Sequence, residues 1–94
     1  MLYVIYCQDD LEKPNERDKY YDDHRAYLEE TSAKIVIAGP FLNADGKTRI
    51  GSMLVVEASS KEEAVKFQQN DPFARNKVWK HVSINPYVMA IDGR

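Results

Sequence analysis

Cysteine, glycine and proline are scarce in this chain of 94 residues, which holds one, four and four of them respectively. With Cys7 as the single cysteine, no disulfide can close within the chain and a cysteine-based zinc site is excluded. A lone thiol in a strand is ordinarily a small buried hydrophobe. Long apolar runs are missing too. The opening "MLYVIYCQDD" reaches Gln8-Asp9-Asp10 after a stretch too short to span a bilayer, and it lacks the basic flank of a signal peptide. The expectation is a cytoplasmic protein with no membrane partner. Nor is there an excess of one charge. Thirteen Lys and Arg stand against fifteen Asp and Glu, for a net charge of −2, and no basic stripe is present to neutralise phosphates. That argues against a nucleic-acid partner. Gly-rich phosphate loops, nucleophile elbows, zinc signatures, internal repeats and low-complexity tracts are likewise absent.

What is present suits one folded domain over residues 1–94, with 44% hydrophobic and 30% charged residues. Residues 2–8, "LYVIYCQ", are β-branched and aromatic and predict a strand. Pro14 suits the first turn of a helix running to about Ser32. Residues 34–42, "KIVIAGPFL", predict a second strand that Gly39-Pro40 bends or ends. "NADGK" follows as a hairpin connection, and residues 48–58 return as a third strand. Ser60 and Glu63 form a capping box opening a second helix to about Asn70. In "DPFARNK", Asp71 caps a short helical turn that starts at Pro72. Residues 78–91 give the last strand, which Pro86 interrupts or marks as an edge. The order strand, helix, strand, strand, helix, strand predicts an α+β ferredoxin-like βαββαβ plait, a four-stranded antiparallel sheet with two helices on one face.

Such a sheet should alternate apolar and polar residues. Here both sets are apolar: Leu2, Val4 and Tyr6 against Tyr3, Ile5 and Cys7, and Met53 and Val55 against Leu54 and Val56. Two helices cover one face, so the other calls for a further apolar surface, and a second copy of the chain is the simplest source. A homodimer through the open sheet face is the expectation, with strand propensity alone as the plainer explanation.

The first helix poses the chemical question. In "YYDDHRAYLEE", His24 falls in a stripe with Tyr20, Tyr27, Leu28 and Thr31. A buried neutral imidazole must satisfy two ring nitrogens, and leaving one unpaired costs roughly 1–3 kcal/mol. Asp71, at the end of the second helix, is a candidate partner. A carboxylate accepting one ring N–H fixes the tautomer and leaves the other nitrogen as the acceptor a general base requires. The plainer account makes His24 a core residue and Asp71 only a helix cap. Asp22 and Asp23 point about 100° apart from their neighbours on a helix, so "DDH" cannot converge on one ion, and no metal site is expected. Arg17 could hold an anion near the same cleft or lie in a surface salt bridge. Tyr20 and Tyr27 would wall a pocket or fill core, and Asp9, Asp10 and Glu12 suggest a solvated loop.

"HRAYL" at 24–28, "AGP" at 38–40, "GSMLVVEASSKEEAVKF" at 51–67 and "DPF" at 71–73 resemble the YciI-like, or YCII-related, family over essentially the whole chain. The resemblance implies a protomer that pairs into a dimeric α/β barrel and an active site built on a histidine–aspartate pair. The matching positions are His24 and Asp71, with Gly39-Pro40 lining the same cleft and Phe73 beside the aspartate as a ligand contact. Members of that fold with assigned chemistry, a dehydrochlorinase of chlorinated hydroxyhydroquinone breakdown and muconolactone isomerases, move a proton on a small oxygenated ring. The function this implies is a cofactor-free acid–base enzyme of lyase, dehydrochlorinase or isomerase type acting on a small oxygenated, cyclic or anionic metabolite. The alternative is a non-catalytic ligand-binding or accessory homodimer.

Overall fold

Runs of β-branched and aromatic residues joined by turns form the sheet. The computed structural model describes residues 1–94, ordered β1 (Leu2–Asp9), α1 (Glu16–Glu30), β2 (Lys34–Leu42), β3 (Arg49–Glu57), α2 (Lys61–Gln69), α3 (Pro72–Arg75) and β4 (Trp79–Tyr87). The strands lie in the order β2-β3-β1-β4, all neighbours antiparallel, which is the ferredoxin-like arrangement. Tyr3, Ile5 and Cys7 of β1 are buried with Leu54 and Val56 of β3 against Ala64 and Phe67 of α2 and Phe73 of α3. Tyr20, Tyr27 and Leu28 of α1 pack on this core without being fully enclosed. No helix is long and apolar enough to cross a membrane.

Several boundaries differ from the sequence expectations for local reasons. Pro14 precedes α1 instead of opening it; the helix starts at Glu16, after an Asn15 that makes no side-chain cap bond. It ends two residues early because Thr31 turns extended. Gly39-Pro40 does not end β2, which runs on to Leu42 with register shifts near Val36 and Leu42. Both β2 and β4 are edge strands, where a proline's missing N–H costs no ladder bond, so Pro40 and Pro86 both sit within their strands. β4 stops at Tyr87, not at residue 91. At α2 the Glu63 N–H donates to Ser60 Oγ at 3.2 Å, but the Glu63 carboxylate accepts from the Ser59 hydroxyl in place of the backbone N–H of Ser60. The capping box is therefore half-formed. In the connection from β2 to β3, Gly46 has a φ of 72°, and the Asp45 carboxylate accepts from the N–H groups of Lys47 and Thr48.

The face away from the helices is apolar as well. Val4 and Met53 are half-buried there, while Tyr6 and Ile37 are each 40% exposed. Residues after β4, including Met89 and Ile91, border a groove on that face together with Val4, Ile37, Met53 and Val55.

Where β3 crosses β1, no side chain fits at position 51. A Cβ on Gly51 would lie 2.3 Å from the carbonyl oxygen of Cys7. Gly51→Ala should therefore push the two central strands apart and cost about 1–3 kcal/mol, the usual range for overpacking. Urea denaturation checks this, and a stability equal to wild type would show that the strands yield without cost.

Candidate active site

The two residues of α1 that are buried, Arg17 and His24, are both polar. Amphipathic packing would place leucines at these positions, so their occupants must find partners in the interior. His24 finds Asp71. Its Nδ1 lies 2.8 Å from both carboxylate oxygens, and Asp71 is 1% exposed. Since an ionised carboxylate only accepts, Nδ1 carries the proton of this pair, and in the neutral imidazole Nε2 is then the free acceptor. Asp71 also caps α3, with Oδ1 accepting the Phe73 N–H at 2.9 Å. Its position is therefore set by the backbone, and it passes that constraint to the imidazole.

Arg17 does not form the surface salt bridge that its sequence context suggested. Its Nε and Nη2 donate to the two oxygens of Asp9 at 2.7 and 2.8 Å, and both side chains are under a tenth exposed. Asp9 accordingly ends β1 as half of a buried ion pair and does not belong to a solvated loop. Nη2 also donates to Ser52 Oγ at 2.8 Å. Residues 17 and 24 lie seven positions apart, about 10.5 Å along a helix. Phe73 fills the interval: the His24 ring stacks on it at 4.0 Å and 7°, and the Arg17 guanidinium lies 4.9 Å from its centroid. Trp79 meets both His24 and Phe73 near a right angle, which closes the imidazole into an aromatic box.

A cleft of about 350 Å³ opens over these groups, with Leu28, Ile35, Gly39, Pro40 and Leu54 among its walls. His24, Arg17 and Ser52 all border it. Trp79 Nε1 is the one sealed side-chain nitrogen or oxygen without a partner. His24 Nε2 and Arg17 Nη1 bond nothing within the protein, so both keep access to the open cleft. At the rim, Arg25 donates to the Tyr21 hydroxyl at 3.2 Å, and the Arg49 guanidinium lies 5.3 Å from the Tyr21 ring. The hydrogen bond from Arg25, helped by Arg49, draws the Tyr21 phenol below its ordinary range.

Other expected site residues lie elsewhere. Phe73 is fully buried and supports His24 from beneath without bordering the cleft. Tyr27 stacks on Phe67 and donates to its carbonyl at 2.8 Å; burial, then the charge of Asp71, raises its phenol pKa. Tyr20 is half-buried core with the Lys19 ammonium over its ring. Neither tyrosine borders the cleft, whereas Tyr21 and Leu28 do. Cys7 is fully buried, and desolvation, reinforced by Asp71, pushes its thiol far above the ordinary range. Asp22, Asp23 and His81 are exposed, and no group of three or more metal-ligating side chains converges. Sequence reasoning missed Asp9, Ser52, Tyr21 and Trp79. For Ser52 a signal existed: strand alternation places it on the same face as Leu54 and Val56, an unexpected position for a hydroxyl.

The YCII-related domain model matches residues 1–88. The chain belongs to the YCII-related family. Curated relatives named Protein YciI from Escherichia coli O6:H1 and Shigella flexneri are each 31% identical, over 93% of this chain and 96% of theirs. Among solved structures, a 5-chloro-2-hydroxyhydroquinone dehydrochlorinase from Burkholderia phenoliruptrix AC1100, in complex with 2,5-dihydroxybenzoquinone, superposes with a TM-score of 0.85. It is 36% identical, and the match covers 94% of each chain. That dehydrochlorinase shares this YCII-related protein's ferredoxin-like fold.

Asp71 serves two structural roles in this YCII-related chain, capping α3 and holding His24. Asp71→Ala removes a helix cap, worth about 0.5–2 kcal/mol, and leaves His24 Nδ1 unpaired, worth about 1–3 kcal/mol. Asp71→Asn keeps an acceptor for both, so chemical denaturation should find it clearly more stable than Asp71→Ala. Equal losses would show that the amide restores neither the cap nor the imidazole bond.

Proposed function

We propose that the chain is a cofactor-free acid–base enzyme acting on a small, planar, oxygenated molecule of enol, phenol or quinone type. The observation carrying this is the geometry of His24: Nδ1 held by a buried carboxylate, Nε2 open to a cleft. His24 would take a proton from the substrate through Nε2. Asp71 holds the tautomer and balances the imidazolium that forms. The two N–H groups on Arg17 Nη1 face the cleft and would hold an anionic oxygen. The electron pair left behind moves into the ring system. In an elimination a leaving group such as chloride departs with its own pair; in an isomerisation the proton returns to a different carbon. Kinship to a dehydrochlorinase in complex with a dihydroxybenzoquinone supports this substrate class.

The proposal includes a homodimer. Tyr6 and Ile37 on the open sheet face are large, apolar and 40% exposed, and the Tyr6 ring meets Phe41 at 4.7 Å. Pairing two such faces covers both. Sedimentation equilibrium should give twice the mass of one chain, and Ile37→Asp should shift the protein towards monomers while leaving its far-UV spectrum unchanged. A wild-type protein that stays monomeric at high concentration refutes the pairing.

Turnover is tested with 5-chloro-2-hydroxyhydroquinone by following chloride release. The wild type should release chloride, and Asp71→Asn should lower the rate by roughly 10²–10⁴-fold, the range for a positioned acid–base group. An Asp71→Asn protein as fast as wild type would sink the His24–Asp71 mechanism. Binding of 2,5-dihydroxybenzoquinone without any turnover would favour the ligand-binding dimer.

A further inference from the structure

The rim of the cleft carries more positive charge than the protein balances. Deeper in, Asp9 pairs with Arg17 and Asp71 with His24. At the rim, Arg25 and Arg49 are both exposed, and only Arg25 meets a carboxylate, that of Glu29 at 3.3 Å. Arg49 pairs with none. Asp18 and Asp22 are neighbours of Tyr21 along α1, yet neither borders the cleft or bonds a guanidinium.

Tyr21 joins the two arginines. It stands one helical turn before Arg25 and His24, so the three side chains leave neighbouring positions of α1, and each borders the cleft. Arg49 comes from the first position of β3 and sets its guanidinium 5.3 Å from the Tyr21 ring. A guanidinium only donates, so in the 3.2 Å contact with Arg25 Nη1 the Tyr21 oxygen accepts. The phenol's own proton is left for a ligand. The bond from Arg25, helped by Arg49, lowers the Tyr21 pKa, the response of a phenol in a positive local potential.

We propose that Tyr21, Arg25 and Arg49 form an anion-binding subsite at the mouth of the cleft, which takes a carboxylate carried by the ring ligand. A carboxylate presents two oxygens in one plane, and the planar fork of a guanidinium matches them. The second guanidinium and the phenol O–H meet the remaining lone pairs. Three residues of helix rise about 4.5 Å, so one small ring spans the distance from the subsite to His24. An anchored carboxylate leaves the far side of the ring facing Nε2. The ring itself is supplied by the acid–base reading, on which this rests, whereas the subsite stands on the three side chains. The ligand class narrows from oxygenated rings in general to hydroxylated ring carboxylic acids.

The test compares, by calorimetry, the affinities for 2,5-dihydroxybenzoate and for 1,4-dihydroxybenzene, the same ring without the carboxylate. The wild type should favour the acid by about tenfold or more, as expected for hydrogen bonds to a charged group. Raising the salt concentration should shrink that preference, since exposed charges are screened. Arg25→Gln and Arg49→Gln combined should bring the ratio to within about twofold of unity, and Tyr21→Phe should lower it part-way. Both arginines are exposed, so their loss leaves the core intact. A wild type that binds the two ligands alike, or neither at millimolar concentration, overturns the proposal. So does a preference that survives the loss of both arginines, which would put the carboxylate on Arg17 deeper in the cleft. If the preference follows the rim arginines and chloride release is never seen, the subsite stands and the acid–base reading falls. If chloride is released and the preference is absent, the reverse holds.

Discussion

One buried carboxylate organises the site. Asp71 is almost fully enclosed, and an ion taken from water into such surroundings loses several kcal/mol of solvation unless its oxygens are bonded. The Phe73 N–H and the His24 Nδ1–H supply the bonds. Because one partner is backbone at the start of α3 and the other a side chain from α1, the requirement to solvate Asp71 ties two elements that are distant in sequence. Phe73 follows from the same constraint. The turn that Asp71 caps places its ring under the imidazole, and the ring separates His24 from the guanidinium of Arg17.

The interior of α1 is thus a compromise between packing and chemistry. Arg17 and His24 occupy the buried face at positions where leucines would fill the space without needing partners. Each requires a dedicated carboxylate from another element, Asp9 for Arg17 and Asp71 for His24, and the aromatic box of Phe73 and Trp79 supplies the contact area that leucines would have given. Trp79 even keeps an unpartnered, sealed N–H. Natural folds accept such local costs mainly where a side chain's function lies in what it presents to a ligand. Here the two groups present Nε2 and Nη1 to a single cleft.

Much of the fold was legible in local pattern. β1, β2 and β3 follow from β-branched runs; the caps at Ser60 and Asp71 follow from their spacing to Glu63 and Pro72; and the alternation of β1 and β3 marks two apolar faces. Local signals failed where long-range contacts set the outcome. Gly39-Pro40 reads as a break, but an edge strand tolerates proline, and edge status depends on which strands pair. Tyr20 and Tyr27 flank His24 on a helical wheel, yet the cleft opens towards Tyr21 and Leu28, because the sheet beneath sets which flank of α1 is covered.

The order of elements, the helix starts at Ser60 and Asp71, and the oddity of a histidine inside an apolar stripe can all be read from the residues alone, since these depend on propensity and on neighbours within a few positions. The chain's likeness to the YCII-related family pointed further, to the pairing of His24 with Asp71. That Arg17 turns inward to Asp9, and that its guanidinium reaches Ser52, 35 positions away in the sequence, follows only from the folded chain. The physical reason is burial. An arginine, an aspartate and a serine each favour water in isolation, and only a site without water compels them to bond to one another.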